Sequence, residues 1–232
     1  MHKVTVVTGS SKGIGRYLAE YYLGKGHCVS GCSRTESDLV HANYDHFLLD
    51  VADEKAVRSM VTRVYRKHGR IDHLLNNAGV SILNHSLLTP LSMVERIVST
   101  NLFGTFLFCR EAGKIMTKQR FGRIVNFSSV AVPLALEGEA AYAAAKSAVE
   151  TLTRVLAREL APSGITCNAI GPSPIPTDLI RNVSEQKMGD LLARQAIREL
   201  GTFEDVSNVL DFFLSEKSGK VTGQVLYLCG VS

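Results

Sequence analysis

The sequence has no CxxC spacing, no run of basic residues, and no apolar stretch near the roughly 18 residues that a membrane-spanning helix needs. Its five cysteines, Cys28, Cys32, Cys109, Cys167 and Cys229, are an odd number set in apolar surroundings. Such thiols read as buried and reduced, which excludes a disulfide framework, and no metal site is expected. Lys and Arg total 26 against 22 Asp and Glu, a net charge of +4. That excess is too small and too dispersed to point to nucleic acid, although it suits an anionic cofactor or substrate. A strand-like pattern begins by residue 3, so no secretory peptide fits and a cytoplasmic location is expected. The Asn-x-Ser triplets at Asn84, Asn126 and Asn182 accordingly read as chance. No repeat, linker or low-complexity segment interrupts the chain.

What is present is ordinary globular material, 45% hydrophobic and 21% charged over 232 residues, enough for one large α/β domain with a full core. Short apolar runs at 3–8, 27–32, 46–49, 71–77, 123–128, 165–170 and 224–228 alternate with helix-like segments near 14–25, 53–68, 91–118, 139–161 and 203–214. Continuous apolar strands alternating with helices imply parallel crossovers. The expectation is a Rossmann-type, doubly wound parallel sheet of about seven strands with helices on both faces, in a single domain covering 1–232. Two stretches break the alternation. The second crossover, SRTESDLVHANYD, has room only for a very short helix. The proline-punctuated segment 171–202 is a long insertion before the last helix, and it is expected to cover a substrate.

Two motifs carry chemistry. The stretch GEAAYAAAKSAVE places Tyr142 and Lys146 four residues apart in an alanine-rich helix, on one face. An ammonium beside a phenol favours the phenolate, so the spacing predicts a tyrosine with a lowered pKa that exchanges protons near neutrality. After the first strand, TGSSKGIG supplies Gly9, Gly13 and Gly15, which permit a tight turn and close approach of backbone to a pyrophosphate at a helix N-terminus. The second strand ends GCSRTES, without the acidic residue that would bond a ribose 2′-hydroxyl. Arg34 suits a 2′-phosphate, with Lys12 able to approach it, so NADP(H) is expected over NAD(H).

With these motifs in this order and spacing, the chain resembles the short-chain dehydrogenase/reductase family, single-domain type, over essentially its whole length. The matching stretches are TGSSKGIG (8–15), LLDVAD containing Asp50, NNAG (76–79), STNLFGTF containing Asn101, RIVNFSS ending at Ser129, YAAAK (142–146) and NAIGPSPIPTD (168–178). The resemblance implies that Tyr142 is the general acid, that Lys146 tunes it and holds the nicotinamide ribose, and that Ser129, rather than Ser128, hydrogen-bonds the substrate oxygen. It implies that Asn101 holds a water linking Lys146 to solvent. It places the cofactor on Gly9, Ser11, Lys12, Gly13, Ile14 and Gly15, on Ser33 and Arg34, with Asp50 and Val51 at the adenine. Asn77, Ala78 and Gly79 would line it further along, and Ile175 and Thr177 would touch the nicotinamide carboxamide.

Within the family the chain is most similar to 3-oxoacyl-carrier-protein reductases, through GRIVNFSSVA and YAAAKSAVETLTRVLARELA. This implies NADPH-dependent reduction of a ketone or acyl thioester, with an acyl carrier protein as a candidate partner docking on basic residues such as Arg120. Ser163 stands where many such enzymes carry another basic residue. Pro172-Ser173 replaces the family's usual Pro-Gly, and YLCGVS lacks its second glycine. Other small hydroxy or keto metabolites, or a non-catalytic dinucleotide-binding role, are the alternatives. The resemblance also implies a homo-oligomer, a tetramer sharing the helices at 91–118 and 139–161.

Overall fold

A computed structural model of the chain describes residues 2–231 except Leu179 and Asn182, so the triplet at Asn182 lies outside the described residues. Seven parallel strands form one sheet: β1 (Val4–Thr8), β2 (Cys28–Ser33), β3 (Tyr44–Leu48), β4 (His73–Asn76), β5 (Gly122–Phe127), β6 (Ile165–Gly171) and β7 (Val225–Tyr227). Their order is β3-β2-β1-β4-β5-β6-β7, which puts the reversal of winding between β1 and β4. Open sheets bind ligands outside the strands' C-terminal ends at such a reversal.

Adjacent side chains on β1 serve opposite faces. Val6 enters a core with Val57, Met60, Leu107 and Phe108, and Val7 enters one with Leu18, Leu75, Val206 and Leu210. The first face is covered by α2 (Glu54–His68) and the second by α1 (Gly13–Gly24), as continuous apolar strands require. Helix α2 begins on Asp53, whose carboxylate accepts from Ala56 N–H, and ends on Gly69 at φ 71°. Its last turn carries Arg66, Lys67 and His68, favourable at the negative end of a helix dipole.

The segment 91–118 is not one helix. It divides into α3 (Leu91–Val98), a π-helical turn Ser99–Phe103 and α4 (Gly104–Gln119). Asn101 sits in that turn, where its side chain bonds other backbone and the extra residue is absorbed without ending the helix.

The second crossover carries no helix among its described residues, where a very short one was expected. Ser37 Oγ accepts from Leu39 N–H, a local bond that competes with helix formation, and Arg16 of α1 pins the loop by pairing with Asp38.

After β5 come α5 (Ala131–Leu134) and the long α6 (Ala140–Leu160). The insertion contains a helix that periodicity did not reveal, α7 (Glu185–Ala193), capped by Ser184, with no buried residue in its length. The last helix, α8 (Phe203–Leu214), opens with a reciprocal capping box between Thr202 and Asp205. No helix among the described residues is long and apolar enough to cross a membrane.

Candidate active site

The loops after β1, β4, β5 and β6 meet above the sheet around one cavity of about 660 Å³. It is lined by Ile14, Asn77 and Gly79, by Ser129, Tyr142 and Lys146, and by Ile175 and Thr177 of the insertion. The structure therefore brings Ile14 of the glycine loop, the serine and the tyrosine–lysine pair to one cavity, while Gly9, Ser11, Lys12, Gly13, Gly15, Ser33, Arg34, Asp50 and Val51 lie outside its lining.

Tyr142 and Lys146 are 7% and 3% exposed on α6. Burial, with a smaller contribution from the Glu139 carboxylate, pushes the Tyr142 phenol up to about 12, against the downward pull of the Ser129 hydroxyl. Burial also draws the Lys146 ammonium down to about 8. A lowered tyrosine pKa was expected from the spacing alone, and the structure reverses it. The lysine donates to the Phe127 carbonyl at 2.7 Å and stands 5.7 Å from the centre of the tyrosine ring, so desolvation outweighs attraction. A phenol held neutral at physiological pH is a proton donor.

The neighbouring serines divide cleanly. Ser128 donates to the buried carboxylate of Glu150, which also accepts from Tyr227. Ser129 Oγ accepts from Ala131 N–H at 3.1 Å and is left beside Tyr142. Asn101 is fully buried, accepting from Val80 N–H at 2.8 Å and donating to Val80 O at 2.9 Å. Its side chain is thus tied to the loop after β4, and its backbone carbonyl accepts from Thr105 Oγ1 at 2.8 Å.

The glycine loop passes a test of fit for a dinucleotide. Gly9 has φ 71°, and a Cβ there would lie 2.9 Å from Ala78 Cα; a Cβ at Gly15 would collide with the Gly9 carbonyl. The backbone is thus as closely folded as a pyrophosphate cradle requires. Lys12 at the N-cap of α1 offers no side-chain cap, and no acid occupies the first turn, so the helix's leading N–H groups are available to an anion. Asn77 braces the loop by donating to Thr8 O at 3.0 Å and Gly9 O at 3.3 Å, and Ala78 N–H donates to Thr8 Oγ1. Gly79 lies against Asn101 and Lys146, where its missing side chain would be 3.3 Å from Asn101 Oδ1.

Toward the adenosine end, Arg34 is exposed and has no ion pair among the described residues, whereas Lys12 is bridged to Asp178 of the insertion at 2.7 Å. Ser11 accepts from Thr35 Oγ1, and Gly13 faces Thr177. Asp50 is exposed, with one oxygen accepting from Ala52 N–H, and Val51 is buried against Gly104. Ser173, where the family's glycine is expected, buries a hydroxyl that has no hydrogen-bond partner among the described residues.

Arg120 does not reach this cavity within the chain. It ends α4 at φ 59° just before β5 begins, and Ser163 just before β6, both at the opposite end of the strands from Ser129. Besides Lys146, the cations that line the cavity are Lys187 and Arg194, the latter donating to Leu134 O. Sequence reading missed these two and also Glu139, one turn before Tyr142, which accepts from Ser81 at 3.1 Å and whose carboxyl is raised by burial. The i−3 spacing of Glu139 from Tyr142 was the one available signal.

The family model described as Enoyl-(Acyl carrier protein) reductase matches residues 9–230. The 3-oxoacyl-[acyl-carrier-protein] reductase FabG of Escherichia coli (strain K12) is 33% identical, over 98% of this chain and 96% of its own. The (2S)-[(R)-hydroxy(phenyl)methyl]succinyl-CoA dehydrogenase subunit BbsD of Thauera aromatica is 35% identical, over 99% of this chain and 96% of its own. The solved structure of ElxO with NADP bound superposes with a TM-score of 0.90 at 30% identity, covering 98% of this chain and 97% of that one.

Proposed function

The chain belongs to the short-chain dehydrogenase/reductase family of oxidoreductases, and from that premise we propose that it uses NADPH to reduce a ketone of an acyl thioester to a secondary alcohol. The observation that carries this reading is the convergence of Ser129, Tyr142 and Lys146 on one cavity that Ile14 at the end of the glycine loop also lines. When bound, the dinucleotide supplies the hydride. Ser129 hydrogen-bonds the carbonyl oxygen, and Tyr142, kept protonated by its burial, gives that oxygen its proton. Lys146 holds the nicotinamide ribose hydroxyls and steadies the phenolate left behind. Asn101, beside Lys146, anchors the route by which that proton is resupplied.

Arg34 and Ser33 read the 2′-phosphate, with Asp50 and Val51 at the adenine and Ile175 and Thr177 at the carboxamide. The domain spans 1–232, and residues 171–202 serve as its substrate cover. An acyl chain suits the apolar wall formed by Leu83, Val130, Leu136, Ile180, Met188 and Leu191. Lys187 and Arg194 suit an acidic carrier or a phosphorylated thioester handle, and the names of two relatives contain an acyl-carrier-protein and a CoA thioester. Exposed Phe103 in the π-helical turn, Phe106 on α4 and Val155 on α6 favour burial of these faces in a tetramer.

The test is NADPH oxidation followed by absorbance with an acetoacetyl thioester, with NADH and the unesterified keto acid as controls. Fast turnover confined to NADPH and the thioester is expected. Turnover of simple ketones with none of the thioester overturns the substrate class, and equal use of NADH overturns the cofactor.

A further inference from the structure

Six side chains close a hydrogen-bonded ring between the glycine loop and the loop after β2. Ser10 Oγ lies 3.0 Å from the Tyr44 hydroxyl, which lies 2.9 Å from His46 Nδ1. His46 Nε2 is 3.0 Å from both Ser33 Oγ and the Thr35 carbonyl oxygen. Ser33 Oγ donates to that same carbonyl at 2.5 Å, and Thr35 Oγ1 donates to Ser11 Oγ at 3.2 Å, which returns the chain to the residue after Ser10. Tyr44 and His46 alternate on β3, so both side chains emerge on one face of the sheet. Gly31 makes room for them, since a Cβ there would collide with Ser10 Oγ and come 2.5 Å from the Tyr44 oxygen.

The proton directions follow from the network. Ser33 spends its proton on Thr35 O, so its oxygen accepts from His46 Nε2–H. His46 Nδ1 is then bare and accepts from the Tyr44 hydroxyl, whose oxygen accepts from Ser10. All donors run one way, and one imidazole tautomer satisfies the whole arrangement.

Arg34 stands between the two residues that this ring pins, Ser33 and Thr35, and is itself exposed and unpaired among the described residues. Farther along the same loop, Asp38 is held by Arg16. We propose that the ring, with His46 as its hub, is a specificity device that presents Arg34 to the 2′-phosphate of the dinucleotide. The proposal rests on the NADPH reading and assigns to it residues of β3. A guanidinium whose flanking backbone is already fixed loses less freedom when it engages a phosphate. A ribose 2′-hydroxyl makes no use of the arginine, so loosening the ring must cost the phosphate-bearing ligand selectively. His46 is thus a positioning residue, acting through Arg34.

Calorimetric binding of 2′,5′-ADP and 5′-ADP, which differ by one phosphate, tests this on the full chain as wild type, His46→Phe, His46→Gln and Tyr44→Phe. Wild type is expected to favour 2′,5′-ADP. His46→Phe is expected to weaken 2′,5′-ADP about tenfold, about 1.4 kcal/mol, and to leave 5′-ADP within about twofold. His46→Gln, whose amide nitrogen can stand in for Nε2, is expected to recover most of the loss. Tyr44→Phe deletes one oxygen from the ring, and it carries the test if His46→Phe fails to fold. If wild type discriminates and the variants weaken both ligands equally or neither, the ring is only structural and the NADPH reading survives. If wild type binds both ligands alike, the NADPH reading and the ring proposal fail together.

Discussion

Lys146 donates its hydrogen bond to the Phe127 carbonyl oxygen at 2.7 Å, and so is tied to the end of β5 while its ammonium rests 5.7 Å from the centre of the Tyr142 ring. Each of the two groups answers first to burial: the lysine falls to about 8 and the tyrosine rises to about 12. For reduction, the proton that is lost first with rising pH therefore belongs to the lysine. The profile of kcat/KM, which reports the free enzyme, should be flat below pH 8 and fall with a single-proton limb near 8, with no tyrosine limb in the ordinary range. Lys146→Arg keeps the charge to far higher pH and should remove that limb at a reduced plateau. A limb unmoved in that variant would assign the titration elsewhere.

Tyr142→Phe deletes only the phenolic oxygen from a buried ring whose packing with Ile97, Ala131 and Ala145 it leaves intact. Turnover should fall by about a thousandfold or more, in the range of a lost general acid, while dinucleotide affinity stays within about twofold. Lys146→Ala should lose both. Steady-state rates set beside a dinucleotide titration separate the two patterns, and a Tyr142→Phe variant with near-normal turnover would remove the tyrosine from its role.

Much of this site was legible because its chemistry is local in sequence. Glycines at fixed spacing, a tyrosine and lysine one helical turn apart, and a serine at a strand end all announce themselves without the fold. The strands were legible because a sheet buried on both faces writes continuous apolar runs such as VTVVT. What escaped depends on distance. The pKa of Tyr142 is set by enclosure, which no spacing encodes. Glu150 meets Ser128 and Tyr227 only after three elements pack. Arg120 looked like a docking residue in its motif, but strand direction carries it to the far end of the sheet from Ser129. Helix α7 was hidden because it is only 9 residues long, carries Gly189 in its middle, and shows just Met188, Leu191 and Leu192 at helical spacing inside a proline-punctuated insertion.

At the sheet end away from the cavity, Thr5 Oγ1 lies 2.9 Å from His27 Nδ1 and 3.2 Å from His73 Nδ1. Burial, then the neighbouring imidazole, pushes His73 down to about 3, and burial also lowers His27. In the unfolded chain both titrate near 6.5. Above that pH neither state is charged at these positions and they add no pH dependence. Below it the unfolded chain takes up protons that the folded one refuses, so stability is lost as pH falls from about 6.5 toward 3. Urea midpoints measured between pH 7.5 and 5, above most carboxylate titration, should decline with falling pH. His73→Leu should flatten that slope, and an unchanged slope would place the acid sensitivity elsewhere.

The bridge between Lys12 and Asp178 spans 2.7 Å from the glycine loop to the insertion, with both side chains largely exposed. Exposed pairs contribute little to folding, so Asp178→Asn should leave Tm within about 2 °C. Its effect should appear in binding. The carboxylate holds one of the few cations beside the phosphate cradle, and removing its charge frees Lys12 for an anion and lessens local repulsion. Affinity for 2′,5′-ADP should rise by about two- to fivefold at low ionic strength and converge with wild type in high salt, where exposed charges are screened. The double variant Lys12→Ala with Asp178→Asn should show no gain, since the lysine that delivers it is gone. A gain that survives in the double variant would mean that Asp178 acts by restraining the insertion and not by occupying Lys12.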